Sequence, residues 1–115
     1  MLNVADPHED RQAVELGRLM ADYACLRQMS QAVAGLLARH EDAGFAAALV
    51  KDQGALLEQR IPELAYTLFS DHDFPAQSAF DAVAEFSVQA SVSYSLRGGT
   101  RKMLRGIICR GLGLR

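Results

Sequence analysis

From residue 97 onward this 115-residue chain contains no acidic side chain, and several other things are scarce or missing. Only two cysteines are present, Cys25 and Cys109. They lie far apart with no metal-ligand spacing, which argues against a disulfide scaffold or a zinc site and for a reduced, cytoplasmic protein. No apolar run approaches the roughly 20 residues that span a bilayer. Met1 to Asp6 shows neither a basic region nor an apolar stretch, so it does not read as a secretory signal. There are no internal repeats and no low-complexity segment. β-branched residues are few while Ala and Leu dominate, a composition that favours helix because Ala and Leu lose little side-chain entropy there.

What is present is helical periodicity. Asp6 is a suitable N-cap, Pro7 stands at the first helical position, and Glu9 sits where a capping-box acid belongs. Leu16, Leu19, Met20, Tyr23, Leu26, Ser30, Val33, Ala34 and Leu37 then follow in steps of three and four. This pattern predicts a first helix ending near His40, with one stripe toward a core. A second helix is expected over 43–69, carrying Phe45, Leu49, Leu56, Leu57, Leu64 and Leu68. Pro62 must kink or split it. Ser70 to Pro75 reads as a turn, and a third helix with Pro75 near its start carries Phe80, Val83, Phe86, Ala90 and Tyr94. Its Ser-rich end, Ser87 to Ser95, suits close helix packing. Arg97-Gly98-Gly99 breaks the chain, and Thr100 caps a short fourth helix with Met103, Leu104, Ile107 and Ile108, ended by Gly111 and Gly113. The expected fold is one all-α domain over 1–115, an up-down bundle of three long helices plus a short C-terminal one. The doubled apolar positions Leu36-Leu37, Leu56-Leu57 and Ile107-Ile108 widen the apolar faces. They predict a surface that needs another helix, from a second copy or a partner subunit.

Charge is split along the chain. Residues 1–96 carry 14 acidic and 6 basic side chains, whereas residues 97–115 carry 6 basic ones and no acid. Such a split fits an anion-binding end, or an intramolecular or intersubunit charge match. The one segment that reads as a candidate site is Arg97-Gly98-Gly99-Thr100-Arg101-Lys102. Two glycines allow a sharp turn and a close ligand approach, and the helix that follows offers unpaired N–H groups and a positive dipole end. Arg101 and Lys102 are electrostatically misplaced in a first helical turn unless an anion binds there. The competing reading is a Gly–Gly linker with solvated basic residues.

Other residues carry less. Asp71-His72-Asp73 is read as a solvated turn, since adjacent residues rarely converge on one ion; no metal site is expected. His40 is placed to complement the end of the first helix. Cys25, Cys109, the three tyrosines and the five phenylalanines are read as core. The basic residues sit on one short helix of an otherwise acidic chain, which argues against nucleic-acid binding.

Ser95 to Arg115, with Arg97-Gly98-Gly99-Thr100 and Leu104-Arg105-Gly106-Ile107-Ile108-Cys109-Arg110-Gly111-Leu112-Gly113-Leu114, resembles the closing segment of the acyl-CoA dehydrogenase family. That family ends in an I-x-G-G-T-x-E-I-x-R-x-I-I-A-R-x-L-G-L pattern. Weaker likenesses are Leu19-Met20-Ala21-Asp22 to a family L-A-D, and Ala46 to Lys51 to an Ala-rich lead into a helical lysine. The resemblance implies the last three helices of that family's C-terminal bundle. Complete members hold FAD between domains and subunits, remove an α-proton from an acyl-CoA, and pass a hydride to the flavin. Gly98, Gly99, Thr100 and Lys102 match the family's flavin-contacting turn. The chain departs from the family at five points. The flavin-embracing β-domain and the first bundle helix have no counterpart. Gly98 stands where one branch carries its catalytic glutamate, so no base is assigned. Lys102 replaces an acid, and Ser70-Asp71-His72-Asp73 stands in place of a G-G-x-G turn. The resemblance therefore implies a chain that contributes FAD contacts and an oligomer interface and is not active alone. The alternative is an inactive helical oligomerisation module.

Overall fold

The computed structural model describes residues 7–69 and 79–114. Four α-helices and one 3₁₀ segment make up the described chain: α1 (Pro7–Ala38), α2 (Gly44–Phe69), α3 (Ala79–Ser91), the 3₁₀ segment Val92–Leu96, and α4 (Arg101–Gly111). No strand occurs among the described residues, and the fold is an all-α helical bundle.

Helix boundaries follow local chemistry. Pro7 opens α1 with Glu9 and Asp10 in its first turn; Asp6 lies outside the described residues. At the other end Glu41 N–H donates to the Leu36 carbonyl (3.0 Å) and His40 N–H to Leu37 (3.0 Å). This is a Schellman closure with His40 in the left-handed position, φ 58°. The Asp42 carboxylate then accepts from Gly44 N–H at 2.9 Å and starts α2. Pro62 does not split α2, which runs through it as one helix. The missing proline N–H leaves the Glu58 carbonyl without its helical donor. The turn at 70–78, with the Pro75 start of α3 and Asp71-His72-Asp73, lies outside the described residues.

Helix α2 is the axis of the molecule, and the others pack on it rather than on one another. All three run antiparallel to it. Gln12 Nε2 donates to the Leu68 carbonyl at 3.1 Å and Arg60 reaches Asp22 at 2.6 Å. Gln59 Nε2 donates to the Ser91 carbonyl at 3.1 Å. On α4, Arg101 meets Asp52 near the start while Gly111 abuts Phe45. The buried apolar residues are Ala43, Ala48, Ala55, Leu57 and Leu68 along α2 and the residue before it, with Ala84 from α3 and Leu104 from α4. Most are alanines. They give close axial packing but little buried area, and among the described residues no large side chain is fully buried.

Which α1 residues face α2 differs in part from expectation. Leu19, Leu26 and Val33 are half-buried with Met29 and Leu36, but Leu16, Met20, Tyr23 and Leu37 are 42–72% exposed. A helix that touches one neighbour covers only one of the stripes its sequence can offer. The same holds for α3, where Ala84 and Ser91 are buried while Phe80, Val83 and Phe86 are exposed. Of the serines in this run only Ser91 is buried, while Ser87 and Ser95 are half-buried and Ser93 is exposed. Ser91, Ser93 and Ser95 each bond a carbonyl three residues back, and the helix tightens into a 3₁₀ turn over this run. The α-helix therefore ends at Ser91, short of Tyr94.

The expectation that the cysteines and aromatics form the core is corrected. Cys25 and Cys109 are free and exposed, as are Tyr23, Tyr66 and Phe86. Tyr23, Phe86 and Cys109 stand on helix faces that α2 does not cover, Cys25 rims a cleft between α1 and α2, and Tyr66 is an α2 residue at the rim of the α2–α3 cleft; the Phe69 side chain and Phe74 lie outside what is described. The radius of gyration, 18.4 Å, compares with about 13 Å for a compact domain of this length.

Candidate functional site

The segment that closes the 3₁₀ turn and opens α4 is built from two glycines and a cap. Arg97 is extended (φ −77°, ψ 121°), and Gly98 and Gly99 follow at φ 74° and φ 115°. Both values lie where L side chains are disfavoured, so the reversal between the segments requires glycine here. Thr100 is extended, and its hydroxyl accepts from Met103 N–H at 3.4 Å while its carbonyl accepts from Leu104 N–H at 3.0 Å. The N–H groups of Arg101 and Lys102, in the first turn, have no intrahelical acceptor.

Its basic residues divide into two kinds. Arg101 Nε donates to Asp52 Oδ1 at 2.9 Å, with the Asp52 side chain 6% exposed. Arg97 pairs with Glu58 at 3.3 Å and lies over the Tyr94 ring, 4.6 Å from its centroid. Both arginines therefore fasten the turn to α2. For these two residues the charge asymmetry is an intramolecular match, and Arg101 is not a free anion ligand. Lys102 is exposed, and Lys51 of α2 lies beside the turn, its Cε 3.4 Å from where a Cβ on Gly98 would stand. Neither lysine has an ion-pair partner among the described residues.

The four residues matched to a cofactor-binding turn, Gly98, Gly99, Thr100 and Lys102, are thus contiguous at the start of α4, with Gly99 half-buried and the others exposed. Two residues that shape the site, Asp52 and Lys51, were not legible as such. The acidic surplus of residues 1–96 was the available signal for Asp52, but it does not say which acid meets which base.

This turn is one wall, not an enclosure. Clefts are formed along α2. One, about 520 Å³, sits between α2 and α3 beside Tyr66, Ala84 and Val88. Another, about 390 Å³, lies between α1 and α2 and includes Lys51. No cluster of three metal-ligating side chains occurs among the described residues, and no described helix is long and apolar enough to cross a membrane. No protein-family model, curated protein or solved structure matches this chain. The likeness to acyl-CoA dehydrogenases rests on residue patterns only, chiefly that of 95–115.

Proposed function

We propose that this chain is the C-terminal helical portion of an acyl-CoA dehydrogenase-type flavoprotein, supplying one wall of an FAD site and part of an oligomer interface. The observation that carries the reading is the unbroken register of the closing motif from Ser95 to Arg115. The geometry supports it at one point. Where the motif places a flavin-contacting turn, Gly98 and Gly99 hold left-handed backbone and α4 presents unpaired N–H groups. Those groups, with Lys102 and Lys51, fit a polar or anionic edge of a dinucleotide. A bound flavin would supply the hydride acceptor; no base is assigned, and the described residues form no second wall to hold a substrate against it. The chain is therefore inactive alone and located where thiols stay reduced, in the cytoplasm.

Flavin absorbance, recorded for the purified chain alone and with candidate partner subunits, tests this reading. The expected result is no flavin alone and stoichiometric flavin with the right partner, lost on Lys102→Glu. Absence of flavin under every pairing would remove the cofactor role.

A second reading, an oligomerisation module without flavin chemistry, is favoured by a separate observation. Leu16, Met20, Tyr23, Phe86, Val92 and Met103 are all more than 40% exposed. A chain of this mass that folds compactly shows about 6,200 Å² of surface, whereas this one shows 8787 Å².

A further inference from the structure

We infer that the outer face of α1 is a self-association surface, and that two copies pair through it antiparallel about a two-fold axis level with residue 25. The inference rests on the oligomer reading and gives that oligomer a face, a partner and a register.

The face is set by what it lacks. Residues at alternating steps of three and four from Ala13 to Leu37 form a stripe about 36 Å long. It lies roughly 100° around the helix from the residues that meet α2. Every member is exposed, and Arg27 is its only charge. The ionic residues Glu15 and Asp22 lie instead on the α2 side, held by Arg60. An exposed stripe of this length with a single charge is rare on a helix that faces water.

The occupant follows from the order of side chains along the stripe. With the axis at residue 25, each layer of the seam joins a large side chain to a smaller or complementary one. Leu37 meets Ala13, Leu16 meets Ala34, and Met20 meets Ser30. Tyr23 meets Arg27, a ring and guanidinium that stack favourably. The Ser30 hydroxyl already bonds the Leu26 carbonyl at 2.9 Å, so its layer carries no unsatisfied donor. Antiparallel pairing also opposes the two helix dipoles. A stripe complementary to its own reversed copy is what an isologous interface requires. The chain as a whole exposes about 2,600 Å² more than a compact chain of its mass, which leaves room for an interface of roughly 800 Å² per partner. Because the seam lies about 100° from the α2 contact, the two-fold places both α2 helices on the same side of the paired α1 helices.

Light scattering on the purified full chain reads the mass, expected at twice 12.5 kDa. Ala34→Glu sets a carboxylate against Leu16 twice per dimer, and the dissociation constant should rise about 100-fold or more. Ala21→Glu, on an exposed face outside both stripes, should leave it unchanged. Far-UV circular dichroism verifies that both variants stay helical. Independently, Leu16→Cys with Ala34→Cys, in a background of Cys25→Ser and Cys109→Ser, should oxidise to a covalent dimer. Within one chain these positions stand about 27 Å apart and cannot join. A monomer at all concentrations, or a chain that assembles only with a different polypeptide, would overturn both this inference and the homo-oligomer. A dimer indifferent to Ala34→Glu, or one that fails to cross-link, would overturn this face and register and leave the oligomer standing.

Discussion

The Arg101–Asp52 pair separates a structural role for the basic turn from a ligand-binding one, and its removal has a calculable cost. Arg101→Ala would leave the Asp52 carboxylate, whose side chain is 6% exposed, without its cationic partner. Breaking a buried pair from one side costs about 3–5 kcal/mol, because the remaining charge stays desolvated. The Arg101 side chain is 28% exposed, so water can partly enter the vacated space and the lower figure, about 3 kcal/mol, is expected. For a domain of this size that is a fall in Tm of roughly 10 °C. Asp52→Asn keeps an acceptor for Arg101 Nε and removes only the charge attraction, so about 1 kcal/mol is expected. The double variant Arg101→Ala with Asp52→Ala has no stranded carboxylate and should lose less than the sum of the two alanine variants. Urea denaturation followed by far-UV circular dichroism gives these values, at one fixed protein concentration because self-association adds to apparent stability. If Arg101→Ala changed stability by less than about 1 kcal/mol, the structural reading of this arginine would be refuted, and its role as a free anion ligand would be restored.

Three further outcomes are expected from the backbone. Gly111→Ala would drive a methyl into the Phe45 ring, whose Cγ would lie 2.9 Å away; overpacking of this kind costs about 1–3 kcal/mol, and chemical denaturation measures it. His40→Gly relieves a left-handed non-glycine residue (φ 58°) at the end of α1 and should raise stability by about 0.5 kcal/mol, read as a small rise in Tm. In the turn before α4, Gly99→Ala (φ 115°) should destabilise more than Gly98→Ala (φ 74°), by about 1–3 kcal/mol against about 1. Parallel melts of the two variants rank them.

Where helices start and stop was determined within a few neighbouring residues, and so was open to reading in one dimension. Pro7 opens α1, Thr100 caps α4 and Gly113 closes it at φ 75°, because capping and left-handed turns depend on local donors and on the absence of a Cβ. The double-glycine turn was legible for the same reason. Helix faces were not. Periodicity along α1 offers two adjacent stripes, one through Leu19, Leu26 and Val33 and one through Leu16, Met20 and Tyr23, and both satisfy helical spacing. Only the antiparallel docking of α2 through Gln12, Asp22 and Leu26 chose the first. The partners of the basic tail were equally hidden. Arg101 reaches Asp52 and Arg97 reaches Glu58 across 49 and 39 residues, and charge totals do not rank such pairings. Local hydrogen-bond chemistry thus wrote the helices into the sequence, while burial and ion pairing, which require distant segments to meet, were decided only when α2 became the axis.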